Sequence, residues 1–137
     1  MNDGDCRDSW RRCGHLKKSQ QLLEFCLFQI QGMARDYSSA YRLLNDLQEI
    51  LARHLEIQNR QFYEENLRAS GKAMIDFFLN DANSLRVDSM EFFARYAADA
   101  GLVRIRNFPI EYQAFLRRVL DRIQIEREML LAEDSLD

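Results

Sequence analysis

At 137 residues, with 47% hydrophobic and 30% charged side chains, the chain has the size of one domain that buries a core without disulfides or a structural metal. A net charge of −3 excludes the strong positive footprint of a protein that holds nucleic acid through its phosphates, so no nucleic-acid partner is expected. The basic cluster Arg7, Arg11, Arg12, Lys17 and Lys18 reads as a solvated helix start. Three cysteines, Cys6, Cys13 and Cys26, are an odd count near the N-terminus. That is no disulfide framework and favours a reducing compartment. No signal-peptide core follows Met1, and no run approaches the ~18 apolar residues of a membrane span. A cytoplasmic location away from membranes is the expectation.

Residues 1–9 are polar and read as a disordered segment ahead of one helical domain, residues 10–137. From about Ser9 to Arg35 the spacing of Leu16, Leu22, Leu23, Cys26, Leu27, Ile30 and Met33 predicts a first helix. Phe25 and Phe28 widen its apolar face, as burial on two sides or a face kept for a partner would require. Asp36 to Ser39 is a turn and cap, whose short polar side chains take the first amides of the next helix. A second helix follows to about Ala69, where Ser70 and Gly71 stop it.

The third region holds two apolar clusters, Met74 to Leu79 and Met90 to Tyr96, on either side of Asn80, Asp81, Asn83 and Ser84. A continuous helix would place Met74, Phe78, Ala82, Leu85, Phe92 and Tyr96 on one face. The density of short polar residues favours a break instead, with helices over Lys72 to Ala82 and Val87 to Ala100 ended by Gly101. Leu102 to Phe108 reads as a connection, and Pro109 opens a last helix with Glu111 near the positive end of its dipole. The implied architecture is all-α, an up-and-down bundle of four main helices with the third region in two pieces.

Two of these helices carry polar pairs inside their apolar stripes. In the second, Leu44, Leu47, Leu51, His54, Gln58 and Phe62 share one face. In the last, Arg122 and Glu126 fall among Tyr112, Phe115, Leu116, Val119, Ile123 and Leu130. Buried polar groups are costly without partners, so His54 with Gln58 reads as a hydrogen-bonded core pair or a small-ligand site. Arg122 with Glu126 reads as a core pair, or as a surface pair if the last helix is turned by one position. Glutamine is a poor metal ligand, and a permanently charged guanidinium repels a cation. No metal site and no cofactor are expected. Cys6, Cys13 and His15 lack a fourth ligand for zinc.

The run LQEILARHLEIQNRQFY resembles the second helix of the hemerythrin-like family, with His54 on the family's histidine and Gln58 on its bridging glutamate. VLDRIQIEREMLL is similar to the family's final ligand helix, with Arg122 on a histidine position and Glu126 on the terminal carboxylate. His15 lies about where the first-helix histidine does. The third helix of the family carries a His-x-x-x-His pair, and residues 72–100 here contain no histidine. The resemblance therefore implies a degenerate bundle without the family's two irons. RHLEIQNRQFYEENL and YQAFLRRVLDRIQIEREMLL also resemble anti-sigma regulators of the Rsd/AlgQ kind, which bind a transcription factor through their surface.

No Gly-rich phosphate loop, nucleophile elbow or Cys-His pairing is present, so the chain is read as non-catalytic. Nine phenylalanines, five tyrosines and Trp10 exceed what a small core uses. Phe28, Tyr63, Phe77 and Phe93, off their helices' main stripes, are the expected partner contacts. The reading is a bacterial regulatory module that binds a transcription or signalling protein, or itself as a homodimer. The alternative is a ligand or metal sensor using His15, His54 and Glu126.

Overall fold

The computed structural model describes residues 3–65, 71–96 and 101–134, with the side chains of residues 17–56, 71, 73–96, 101, 102 and 104–128. Four helices account for nearly all of it: α1 Asp3–Gly32, α2 Tyr37–Glu65, α3 Lys72–Arg95 and α4 Leu102–Asp134. Each of α1 and α3 packs chiefly on α2 and α4. The chain thus winds round a four-helix bundle with α1 and α3 on opposite corners. No helix among the described residues is long and apolar enough to cross a membrane.

The α1–α2 turn follows the expected cap. Asp36 receives the Ser39 hydroxyl at 2.7 Å, and its own carbonyl accepts the Ala40 amide at 3.0 Å. The Ser39 hydroxyl, then the Ser39 and Ser38 amides, hold the Asp36 carboxyl below its ordinary pKa. A cap of this type stabilises a helix start by about 1 kcal/mol.

Three boundaries differ from the sequence reading. The helix assignment of α1 starts at Asp3 rather than Ser9, and the side chains of residues 1–16, His15 among them, lie outside the described set. The third region is one helix rather than two. Phe78, Ala82, Leu85, Ser89, Phe92 and Tyr96 form one buried seam, while Asn80, Asn83 and Ser84 face solvent. Water satisfies those polar side chains, so they do not compete for the helix backbone. Finally, α4 begins at Leu102, and Pro109 sits inside it rather than at its start. Phe108, fully buried between Tyr37, Tyr96 and Tyr112, anchors the added turns.

The core is divided by chemistry along its length. Near the α1–α2 turn it is aromatic: Phe92 stacks on Phe115 with ring centroids 4.3 Å apart, and Phe108 meets Tyr96 edge-on at 4.9 Å. The middle is aliphatic, with Leu23, Leu27, Leu47, Leu51, Leu85 and Val119. Towards the other end Gln20, His54, Arg122 and Glu126 are buried. Among the described side chains the core therefore passes from rings near the α1–α2 turn to ions beyond the aliphatic middle.

Two expectations follow. Proline gives no amide to the Ile105 carbonyl and crowds it, so Pro109→Ala should raise stability by about 1–3 kcal/mol in urea unfolding. Burial first, then Cys26, drives the Tyr112 phenol far above the usual tyrosine range while it donates to the Leu27 carbonyl. Burial, then the bond to Glu111, raises Tyr96 likewise. Unfolded tyrosines ionise near ~10. Above that pH the unfolded chain binds fewer protons than the folded one, so stability falls as pH rises. Urea midpoints from about pH 8 to about pH 11 should decline, and Tyr112→Phe should flatten the decline.

Candidate functional site

The polar end is a ladder of hydrogen bonds running from the core to the surface. His54, in the apolar stripe of α2, is 1% exposed, as are Arg122 and Glu126. His54 Nε2 lies 2.9 and 3.2 Å from the two Glu126 oxygens, and Nδ1 lies 2.7 Å from Ser19 Oγ. A carboxylate only accepts, so Nε2 carries the ring proton at that contact, and in the neutral ring Nδ1 accepts from the Ser19 hydroxyl. Gln20 Nε2 donates to Glu126 Oε1 at 2.9 Å, and Arg122 Nε donates to Oε2 at 3.2 Å. Three helices converge on one carboxylate.

Arg122 extends the ladder to α3. Its Nη1 donates to the Phe78 carbonyl at 2.8 Å and to Asp81 Oδ2 at 3.1 Å, and its guanidinium carbon lies 3.7 Å from the Phe78 ring centroid. Such stacking suits a delocalised cation. Burial lowers the Arg122 pKa, while Glu126 and Asp81 oppose that fall. Arg118 then grips the Asp81 carbonyl and Oδ1, each at 3.1 Å, and reaches Asp88 at 3.7 Å on the surface. Charges alternate along the whole series. Its geometry is that of a structural clamp, since broken buried pairs leave uncompensated charge.

Of the residues singled out from the sequence, His54, Arg122 and Glu126 meet in this ladder, and the Gln58 side chain lies outside the described set. Arg122 and Glu126 are a core pair, not a surface one. Ser19, Gln20, Asp81 and Arg118 were not anticipated. Gln20 precedes Leu23 and Leu27 by three and seven residues, so its place in the α1 stripe was visible by the same spacing that exposed His54. Asp81 was hidden in the polar run taken for a break.

The expected contact residues do not form one patch. Phe28 is exposed on α1 and Phe77 on α3, at opposite corners, and the Tyr63 side chain lies outside the described set. Phe93 is half-buried against Phe92 and Phe115. It also lines a groove of about 490 Å³ between α2 and α3, with Leu51, Leu55 and Met90, and with Glu56 and Arg86 at the lip.

The ladder does not fit the two irons of hemerythrin-like proteins. The oxygens of Glu126 and both nitrogens of His54 are already engaged. A metal bound ~2 Å from those donors would meet the Arg122 cation. Among the described residues no three histidine, cysteine or acidic side chains gather where an ion would need them. Ser19, His54 and Glu126 have the order of a nucleophile, base and carboxylate. Ser19 lies within α1, however, where backbone amides are spent on helical bonds, so its own helix offers no amide pair to hold an oxyanion.

Fold and site together define an all-α four-helix bundle with an ionic ladder buried in its core. Compared with protein-family models, curated proteins and solved structures, the chain finds no match in any of the three. The hemerythrin-like and anti-sigma resemblances therefore rest on the residues quoted for them.

Removing two members of the ladder together should cost less than the sum of removing each alone. Glu126→Leu and Arg122→Met are each expected to lose about 3–5 kcal/mol, and the double variant less than their sum by about 1–3 kcal/mol, in a urea double-mutant cycle.

Proposed function

We propose that this chain is a non-catalytic, cytoplasmic regulatory module that works by binding a protein, a transcription or signalling component, through its outer surface. The observation carrying this reading is on α1. Leu22, Phe25 and Phe28, at steps of three, are 54%, 63% and 48% exposed, while the described polar groups of the core are turned onto one another. Apolar rings held in water at that density usually mark a contact surface. Burying each on a partner contributes about 1.5–3 kcal/mol.

The likeness to anti-sigma bundles supports the same class of function, and the loss of family iron ligands supports a scaffold rather than a metal centre. Phe25 and Phe28 stand out where the sequence pattern needs no exposed ring. Their replacement should leave the core intact.

The test is affinity capture from the native host with tagged full-length chain, wild type against Phe25→Glu/Phe28→Glu, with partners identified by mass spectrometry. Wild type should retain a defined protein that the variant binds at least tenfold more weakly. Equal retention by both forms, or none by either, would overturn the reading.

A further inference from the structure

We infer that one partner of the α1 face is a second copy of this chain, docked head to tail so that the outer face of α1 meets the outer face of α3. This rests on the protein-binding reading above and gives it an occupant. The observation is charge complementarity between two rows on the same molecule.

On the described part of α1 the exposed charges are Lys17 and Lys18, both basic, at one end of the Leu22, Phe25, Phe28 row, while in the turn after it Arg35 is followed by the exposed Asp36. Glu24, the acid in that stretch, is half-buried and held by Arg127 of α4. The face is cationic on a chain whose net charge is −3.

On α3 the pattern is repeated with the opposite sign. Asp76 and Glu91 are exposed at the two ends of a row containing Phe77, 58% exposed, and Val87, 54% exposed. Of the basic side chains described on that helix, Arg86 lines the groove towards α2, and Arg95 faces Glu111 of α4. Each row therefore sets exposed apolar side chains beside charges of one sign, Lys17 and Lys18 on α1 and Asp76 and Glu91 on α3.

Because α1 and α3 occupy opposite corners of the bundle, the two faces look in opposite directions. A contact between unlike faces is heterologous. It leaves one unused face on each copy and builds a chain or a ring instead of a closed two-fold dimer. Rim charges of this kind weaken as salt screens them.

The experiment is sedimentation velocity and light scattering on the purified full chain, with two variants whose changes all fall on exposed side chains. Wild type should grow in mass past a dimer as concentration rises, and shrink with added salt. Phe25→Glu/Phe28→Glu spoils the α1 face, and Asp76→Lys/Glu91→Lys spoils the α3 face. Each alone should associate at least tenfold more weakly while keeping wild-type helicity and melting.

Mixed in equal amounts, the two variants should form a one-to-one complex and nothing larger, since each brings one intact face. A wild type that stays monomeric overturns the inference. So does a dimer abolished by the α1 variant and untouched by the α3 variant, which would mean α1 meets α1. If wild type is monomeric yet captures a host protein through Phe25 and Phe28, self-docking falls and the protein-binding reading stands.

Discussion

The carboxylate of Glu126, sealed from water, is the constraint around which the bundle is arranged. It takes Gln20 from α1, His54 from α2 and Arg122 from its own helix, and Arg122 in turn takes Phe78 and Asp81 from α3. A leucine stripe slides past another at little cost, because apolar contacts have no direction. A hydrogen bond weakens steeply with misalignment. Glu126 and its partner Arg122 together therefore fix the register of all four helices, at the expense of desolvating several charges.

That arrangement explains why the two ends of the core differ. At the α1–α2 turn, stacked and edge-on rings fill space without polar demands, save for the two phenols satisfied by the Leu27 carbonyl and by Glu111. At the far end the groups need partners, and the chain supplies them in alternating sign out to Arg118 and Asp88. The positive charge among these carboxylates is that of Arg122 itself. The cation is covalently part of the fold, so the site is filled by the sequence itself.

An interior so occupied shifts attention to the outside. Exposed rings on α1 and α3 contribute nothing to the described core, and they stand beside basic charges on α1 and acidic ones on α3. In the proposed head-to-tail contact, their separation to opposite corners gives the assembly polarity, each copy passing the contact along in one direction.

By itself the sequence determined the helical class, the described part of the buried faces of α2 and α4, the Leu23, Cys26, Leu27 and Ile30 core of the α1 face though not Leu22 and Met33, which are exposed, the cap at Asp36 and the burial of His54 in its stripe. All of these are periodic or local, and periodicity survives without knowledge of neighbours. Only the tertiary structure decided that Asn80 to Ser84 continue a helix, that Pro109 lies within α4, and that Ser19, Gln20, Asp81 and Arg118 join His54. Those outcomes turn on which atoms other helices present: a ring seam to anchor α3, Phe108 to hold the start of α4, a carboxylate to receive Gln20. Spacing along one chain records which residues face inward, but it does not say what they will face.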